Sequence, residues 1–294
     1  MYKDFSTLLE ACARDGVSMA EVIQRNEEIV GGLTCAEIRE TLRGRLTVMR
    51  ESSQRALREP QNMIGNLIRG QSAAQHAKGG RLAGDYLNRI MARALSCSEV
   101  NAAMGVICAA PTAGACGILP AVLLETAAML GSGEEALLDA LCVAGGVGAI
   151  LTQNATVSGA EGGCQAECGV AAAMAAAACV TLAGGTNAQC VTAVSLALID
   201  CMGLVCDPVA GLVQLPCSFR NASQAVNAVI SADMALAGQT CVIPADEVVE
   251  AMYRVGRQLP IELRETSQGG IAKTPTGKAI RNALFRRDDQ TPQG

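Results

Sequence analysis

The sequence predicts an all-α protein, a helical bundle around a buried Gly/Ala-rich central helix. Three observations predict it. No stretch alternates apolar and polar residues with the period of two that a half-buried strand needs. Hydrophobic residues make up 50% of the chain, yet aromatics make up only 2% and tryptophan is absent. A core of small side chains suits helices meeting through Gly and Ala better than a sandwich rich in Val, Tyr and Thr. Finally, residues 168–199 carry no charge, which fits a helix buried on every side.

The elements follow in order. Residues 1–93 read as a region of polar, amphipathic helices. Ser18-Met-Ala-Glu21 and Thr34-Cys-Ala-Glu37 both have capping-box form. Ile38, Leu42, Leu46, Val48 and Met49 recur at near-helical spacing in a helix over 37–58, which Pro60 should end. Gly79-Gly80 marks a turn. Residues 94–285 form the helical core, continuous with those first helices. Its candidate helices are 99–110, Ile118–Leu130, 134–151, Val170–Leu182, 189–202, 221–236 and 245–255. Ser132–Glu135 is a further candidate cap. Gly-, Pro- and Asn-rich joints separate them at 110–114, 154–163, 184–185 and 206–216, and a Gly/Thr/Pro loop covers 267–278. Residues 286–294 read as a disordered tail.

Composition excludes several classes. A net charge of −5 gives no reason to expect a nucleic-acid partner. The uncharged run raises a membrane reading, but Ala, Gly, Ser, Thr, Asn and Gln dominate it, and no basic flanks or aromatic belt accompany it. We therefore expect no membrane partner. The opening Met1-Tyr-Lys-Asp-Phe-Ser lacks the form of a secretory signal. A cytoplasmic protein keeps its thiols reduced, so the 14 cysteines are not expected to form a disulfide framework.

Familiar signatures fail. Thr274-Pro-Thr-Gly277-Lys278 resembles part of a P-loop, but Ala272 stands where the first glycine belongs and Ala279 follows the lysine. There is no C-x-x-C, which removes zinc ribbons and ferredoxin runs. His76 is the only histidine. What remains is cysteines in joints. Cys164, Cys206 and Cys217 are each flanked by Gly or Pro, in loops that let backbone approach a bulky group and aim N–H donors at it. Cys142, Cys179, Cys190 and Cys241 read as helix-interior packing. Soft thiolates suit an iron–sulfur cluster or zinc. Between Arg93 and Arg254 the one basic residue is Arg220, three places after Cys217. Burying it requires an anion beside it: a substrate, a cluster, or a structural pair with Asp207 or Glu167.

Six segments carry a resemblance. They are Ser98-Glu-Val-Asn-Ala-Ala-Met, Ala110-Pro-Thr-Ala-Gly-Ala-Cys-Gly117, Gly162-Gly-Cys-Gln-Ala-Glu167, Cys206-Asp-Pro-Val-Ala-Gly211, Cys217-Ser-Phe-Arg-Asn221 and Gly269-Gly-Ile-Ala-Lys-Thr-Pro-Thr-Gly-Lys278. In this order they resemble the catalytic part of the iron–sulfur-dependent L-serine dehydratases. The resemblance implies a [4Fe–4S] cluster held by Cys164, Cys206 and Cys217, with one iron left open. It implies L-serine as substrate, pyruvate and ammonia as products, and a separately encoded β chain as partner. Arg220 is expected to grip the substrate carboxylate. Ser98, Asn101, Thr112 and Ser158, in the family-like loops, are expected to bind substrate, with helix capping as their structural alternative. His76 is the candidate base, as the one side chain that ordinarily titrates near neutrality. Lys273 is expected to act from a Gly-hinged lid. The rivals are β-elimination from cysteine or threonine, a pyridoxal-phosphate lyase using Lys273, and a non-catalytic helical scaffold.

Overall fold

The computed structural model describes residues 2–285; the expected tail at 286–294 lies outside them. Among the described residues there are thirteen α-helices and no strand, as the absent period-two pattern predicts. In order they are α1 (Phe5–Asp15), α2 (Met19–Gly31), α3 (Cys35–Arg58), α4 (Gln71–Lys78), α5 (Gly84–Ala102), α6 (Ile118–Leu130), α7 (Glu134–Asn154), α8 (Gly159–Gly162), α9 (Val170–Leu182), α10 (Asn187–Cys201), α11 (Cys217–Leu236), α12 (Ala245–Gln258) and α13 (Pro275–Phe285).

Caps fix several starts. Thr34 and Glu37 form the expected reciprocal box on α3. Ser18 accepts from the Glu21 N–H at 3.2 Å, but Glu21 does not return the bond, so the expected box on α2 is half made. Ser132 does not cap α7: Gly133 holds that position, with no side-chain bond. Thr186 and Gln189 make a box that starts α10 at Asn187, where we expected a start at 189. The largest correction concerns α5. We expected a helix over 99–110; instead α5 ends at Ala102. Gly105 closes its end by donating to the Val100 carbonyl at 2.8 Å, and a Cβ there would collide with Val100.

The core centres on alanine. Every residue from Val170 to Val180 in α9 is buried, and α9 packs against α6, α7, α10 and α11. The helix is alanine-rich rather than Gly/Ala-rich, because it contains no glycine. Glycines lie on its neighbours instead. Gly148 of α7 leaves room for Met174, and Gly117 brings α6 against the Ala94 carbonyl of α5, where a Cβ would sit 2.4 Å from the oxygen. Residues Ala113–Leu130, Glu134–Asn154 and Gln165–Leu182 are each long and apolar enough to cross a membrane, but 67%, 67% and 83% of an apolar 18-residue stretch in each is buried inside the protein. Their apolar faces are therefore covered by other helices.

Candidate active site

Three loops that are distant in sequence are fastened together. Gly163 adopts φ +74° just before Cys164, packed where a Cβ would meet the Leu204 carbonyl at 2.8 Å. Residues Gln165–Gly169 form a single π turn leading into α9, a feature common at functional sites. Gln165 bonds three ways: its backbone N–H donates to the Leu204 carbonyl, its side-chain oxygen accepts from the Gly203 N–H at 2.7 Å, and its amide donates to the Met252 carbonyl at 2.7 Å. The Cys164 turn is thereby tied to the strand-like segment that carries Cys206. That segment pairs with Arg264 in one isolated parallel bridge. Cys217 opens α11 after Pro216. Asn221, one turn later, donates to the Gly114 and Cys217 carbonyls and accepts from the Gly117 N–H at 2.8 Å. It thus binds the 110–117 loop to α11.

These ties bring the three joint cysteines into one neighbourhood. Cys164 and Cys206 are 3% and 4% exposed, and Cys217 is half-buried. Burial, and then the neighbouring Cys164, push the thiol of Cys206 far up and that of Cys217 up to about 12. Cys164 goes the other way. The Cys168 thiol beside it and the Arg220 guanidinium outweigh burial and favour its thiolate. Cys168, one turn further on, is raised well above the ordinary thiol value by Cys164 and by burial.

Arg220 is matched by anionic neighbours. It donates to the Val205 carbonyl at 2.6 Å and to Asp207 Oδ1 at 2.9 Å, and it faces Cys164. The other oxygen of Asp207 accepts from the Ile271 N–H at 2.8 Å. Gly270 lies so close to this carboxylate that a Cβ would stand 2.0 Å from Oδ2. The short turn Gly270–Lys273 is thus strapped to the Cys206 loop.

Glu167, named from the sequence only as a possible pair for Arg220, proves to be a central group. It acts electrostatically on Cys164, Cys206 and Cys217 alike. Thr112 Oγ1 donates to its Oε1 at 2.7 Å, and the Cys206 thiol lies 3.9 Å from its Oε2. Burial raises its pKa above the ordinary glutamate value. The readable signal was position: Glu167 is one helical turn after Cys164 and immediately precedes the uncharged run.

The remaining candidates divide. Thr112 joins the site through Glu167. Asn101 donates to the Ala113 carbonyl at 3.1 Å and so supports the same loop. Ser98 is buried inside α5, not at a cap, and donates to the Ala94 carbonyl of its own helix. Ser158 precedes α8 without a side-chain cap bond. His76 is exposed on α4, whose neighbours are α3 and α5. Lys273 is exposed on the strapped turn. Cys142, Cys179 and Cys190 are buried in helices as expected, but Cys241 lies in the loop before α12.

Among the described residues no three His, Cys, Asp or Glu side chains are close enough to hold a single metal ion. The donor set fits a larger group. Three thiols share one buried region with a cation beside them, and each would have to lose its proton to ligate. A cluster places each thiolate on a different iron, and so accepts wider spacing than one tetrahedral zinc.

A family profile described as "Serine dehydratase alpha chain" matches residues 14–272. This chain belongs to the serine dehydratase alpha-chain family. It is 42% identical to the "Probable L-serine dehydratase, alpha chain" of Bacillus subtilis, over 97% of this chain and 96% of that protein. It is 43% identical to the "L-serine dehydratase, alpha chain" of Peptoniphilus asaccharolyticus, over 96% and 98%. With the "L-serine dehydratase" of Mycobacterium bovis it shares 37% identity over 92% of this chain but only 61% of the longer relative. The alpha-chain family thus spans nearly all of the segments that converge here.

Proposed function

We propose that this chain is the catalytic α chain of a cytoplasmic L-serine dehydratase that forms pyruvate and ammonia, with a separate β chain as partner. The observation that carries this reading is the gathering of Cys164 with Cys206 and Cys217, from two distant stretches of the chain, around one half-buried cation and one half-buried carboxylate. The names and full-length coverage of the two α-chain relatives support both substrate and partner. Fourteen free thiols suit a reducing compartment.

In this reading the three cysteines hold a [4Fe–4S] cluster. When bound, such a cluster supplies an open iron, a Lewis acid for the departing hydroxyl. The chain's own residues do the rest. Arg220 keeps positive charge beside Cys164 while holding the Cys206 loop in place through Val205 and Asp207. Its remaining N–H donors are suited to a carboxylate. Asn221 and Thr112 fix the 110–117 loop, whose backbone forms one wall. His76 and Lys273 are the proposed proton carriers. Both are exposed, so closing over the substrate falls to the strapped turn and the β chain.

Anaerobic iron and sulfide analysis with visible spectroscopy tests the reading. Cys164→Ser, Cys206→Ser and Cys217→Ser should each lower iron and sulfide together, with loss of L-serine turnover. A colourless, iron-free protein that tolerates all three substitutions would remove it.

A further inference from the structure

We infer that Glu167 is the anchor for the substrate's α-ammonium group, an assignment that rests on the serine dehydratase reading above. Asp207, a second carboxylate of the site, is matched by Arg220 and by the Ile271 N–H. Glu167 is not matched in that way: among the described residues its hydrogen-bond partners are the Thr112 hydroxyl and the Cys206 thiol, both neutral donors. No Lys or Arg forms an ion pair with it among those residues. A carboxylate drawn partly out of water needs a cation or several donors; Thr112 engages Oε1, and Oε2 faces the Cys206 thiol.

The surroundings are shaped for this carboxylate. Gly114 and Gly159 flank it, and a Cβ at either would stand 2.9 Å and 2.5 Å from its oxygens. Gly159 also borders Cys206, whose sulfur would be 3.3 Å from the added Cβ. Two segments therefore give up side chains to seat Glu167 beside Cys206. An α-amino acid brings one cation and one anion. Glu167 matches the cation, and Arg220, across the same thiols, matches the anion. The reading also gives Thr112 a role: its hydroxyl orients the carboxylate and is a positioning group.

The test compares two ligands that differ at one position. L-Serine carries an ammonium where L-glycerate carries a hydroxyl. Binding of both is measured by titrating the visible spectrum of the anaerobically purified α–β enzyme, alongside turnover of serine and iron content. The wild-type enzyme should prefer L-serine. Glu167→Gln keeps the shape and the Thr112 contact but removes the charge. It should weaken L-serine by about ten- to hundredfold, the scale of a charged hydrogen bond. Glycerate affinity and iron content should stay within about twofold, against the same standard. Should Glu167→Gln fail to fold, Glu167→Asp withdraws the charge by one methylene. It too should weaken serine more than glycerate. Equal weakening of both ligands, or an unchanged preference, overturns the assignment while leaving the serine dehydratase reading intact. A wild-type enzyme that contains iron yet binds and turns over no serine overturns both.

Discussion

Glu125 of α6 lies buried between two arginines of α5, with Arg89 Nε 2.7 Å from its carboxylate and Arg93 bonded to the other oxygen. Burial alone would raise its pKa, but the two guanidiniums outweigh burial and hold it below the ordinary glutamate value. A depressed folded pKa contributes stability that is complete above the ordinary glutamate range and is lost as pH falls through the lowered value. Glu125→Ala should therefore cost about 3 kcal/mol near neutrality, since it strands half-buried Arg93. In urea titrations the gap from wild type should shrink as pH falls below the ordinary glutamate range. Arg220→Lys replaces a planar fork with a point charge and should raise KM for L-serine by about tenfold or more, for the loss of one charged hydrogen bond, with iron content unchanged. Loss of iron in that variant would instead make Arg220 purely an anchor of the Cys206 loop. The sequence could point to Arg220 because a lone cation in an apolar run is conspicuous. It could not separate Asp207 from a substrate as the partner, since pairing depends on which loops meet.

Helices were legible where their signals are local. The box at Thr34 and Glu37 and the break at Pro60 sit within a few residues of the features they control. The misplaced end of α5 had no such signal upstream. Gly105 ends that helix because its missing side chain lets it fold back on Val100, and the apolar pattern continues past it. The Thr186–Gln189 box was readable and would have corrected the start of α10. Packing between elements explains a glycine that local reading passes over. Gly117 touches the backbone of Ala94, a neighbour that cannot rotate away. Gly117→Ala should therefore push α6 off α5 and cost about 2 kcal/mol, measured as a lower thermal midpoint. At Gly44, which has open space around it, the same change should stabilise α3 by up to about 1 kcal/mol.

Across the whole molecule, the site joins segments that are far apart in the chain. Cys164, Cys206 and Cys217 stood out in the sequence because each lies in a Gly- or Pro-flanked joint. Spacing left zinc and an iron–sulfur cluster both open, and the family-like segments were needed to choose. Glu167 was read only as a possible pair for Arg220 because its importance comes from the loops that converge on it, and that convergence is a property of tertiary structure. The same convergence predicts coupling between loading and stability. A group bound only by the folded chain stabilises it by mass action. Stripping iron anaerobically should lower the thermal midpoint and raise hydrogen exchange first at 203–211 and 263–271, the two segments joined at Cys206. Uniform exchange changes across all helices would contradict this.

The alanine helix α9 also limits how this protein can change over generations. Seven of its positions already hold the smallest side chain that still favours a helix, and four neighbouring helices close on them. Nearly every heritable substitution there must add bulk, and the exception, glycine, weakens the helix. Variation should therefore collect on the outer layers of the bundle, while this inner rod stays almost fixed.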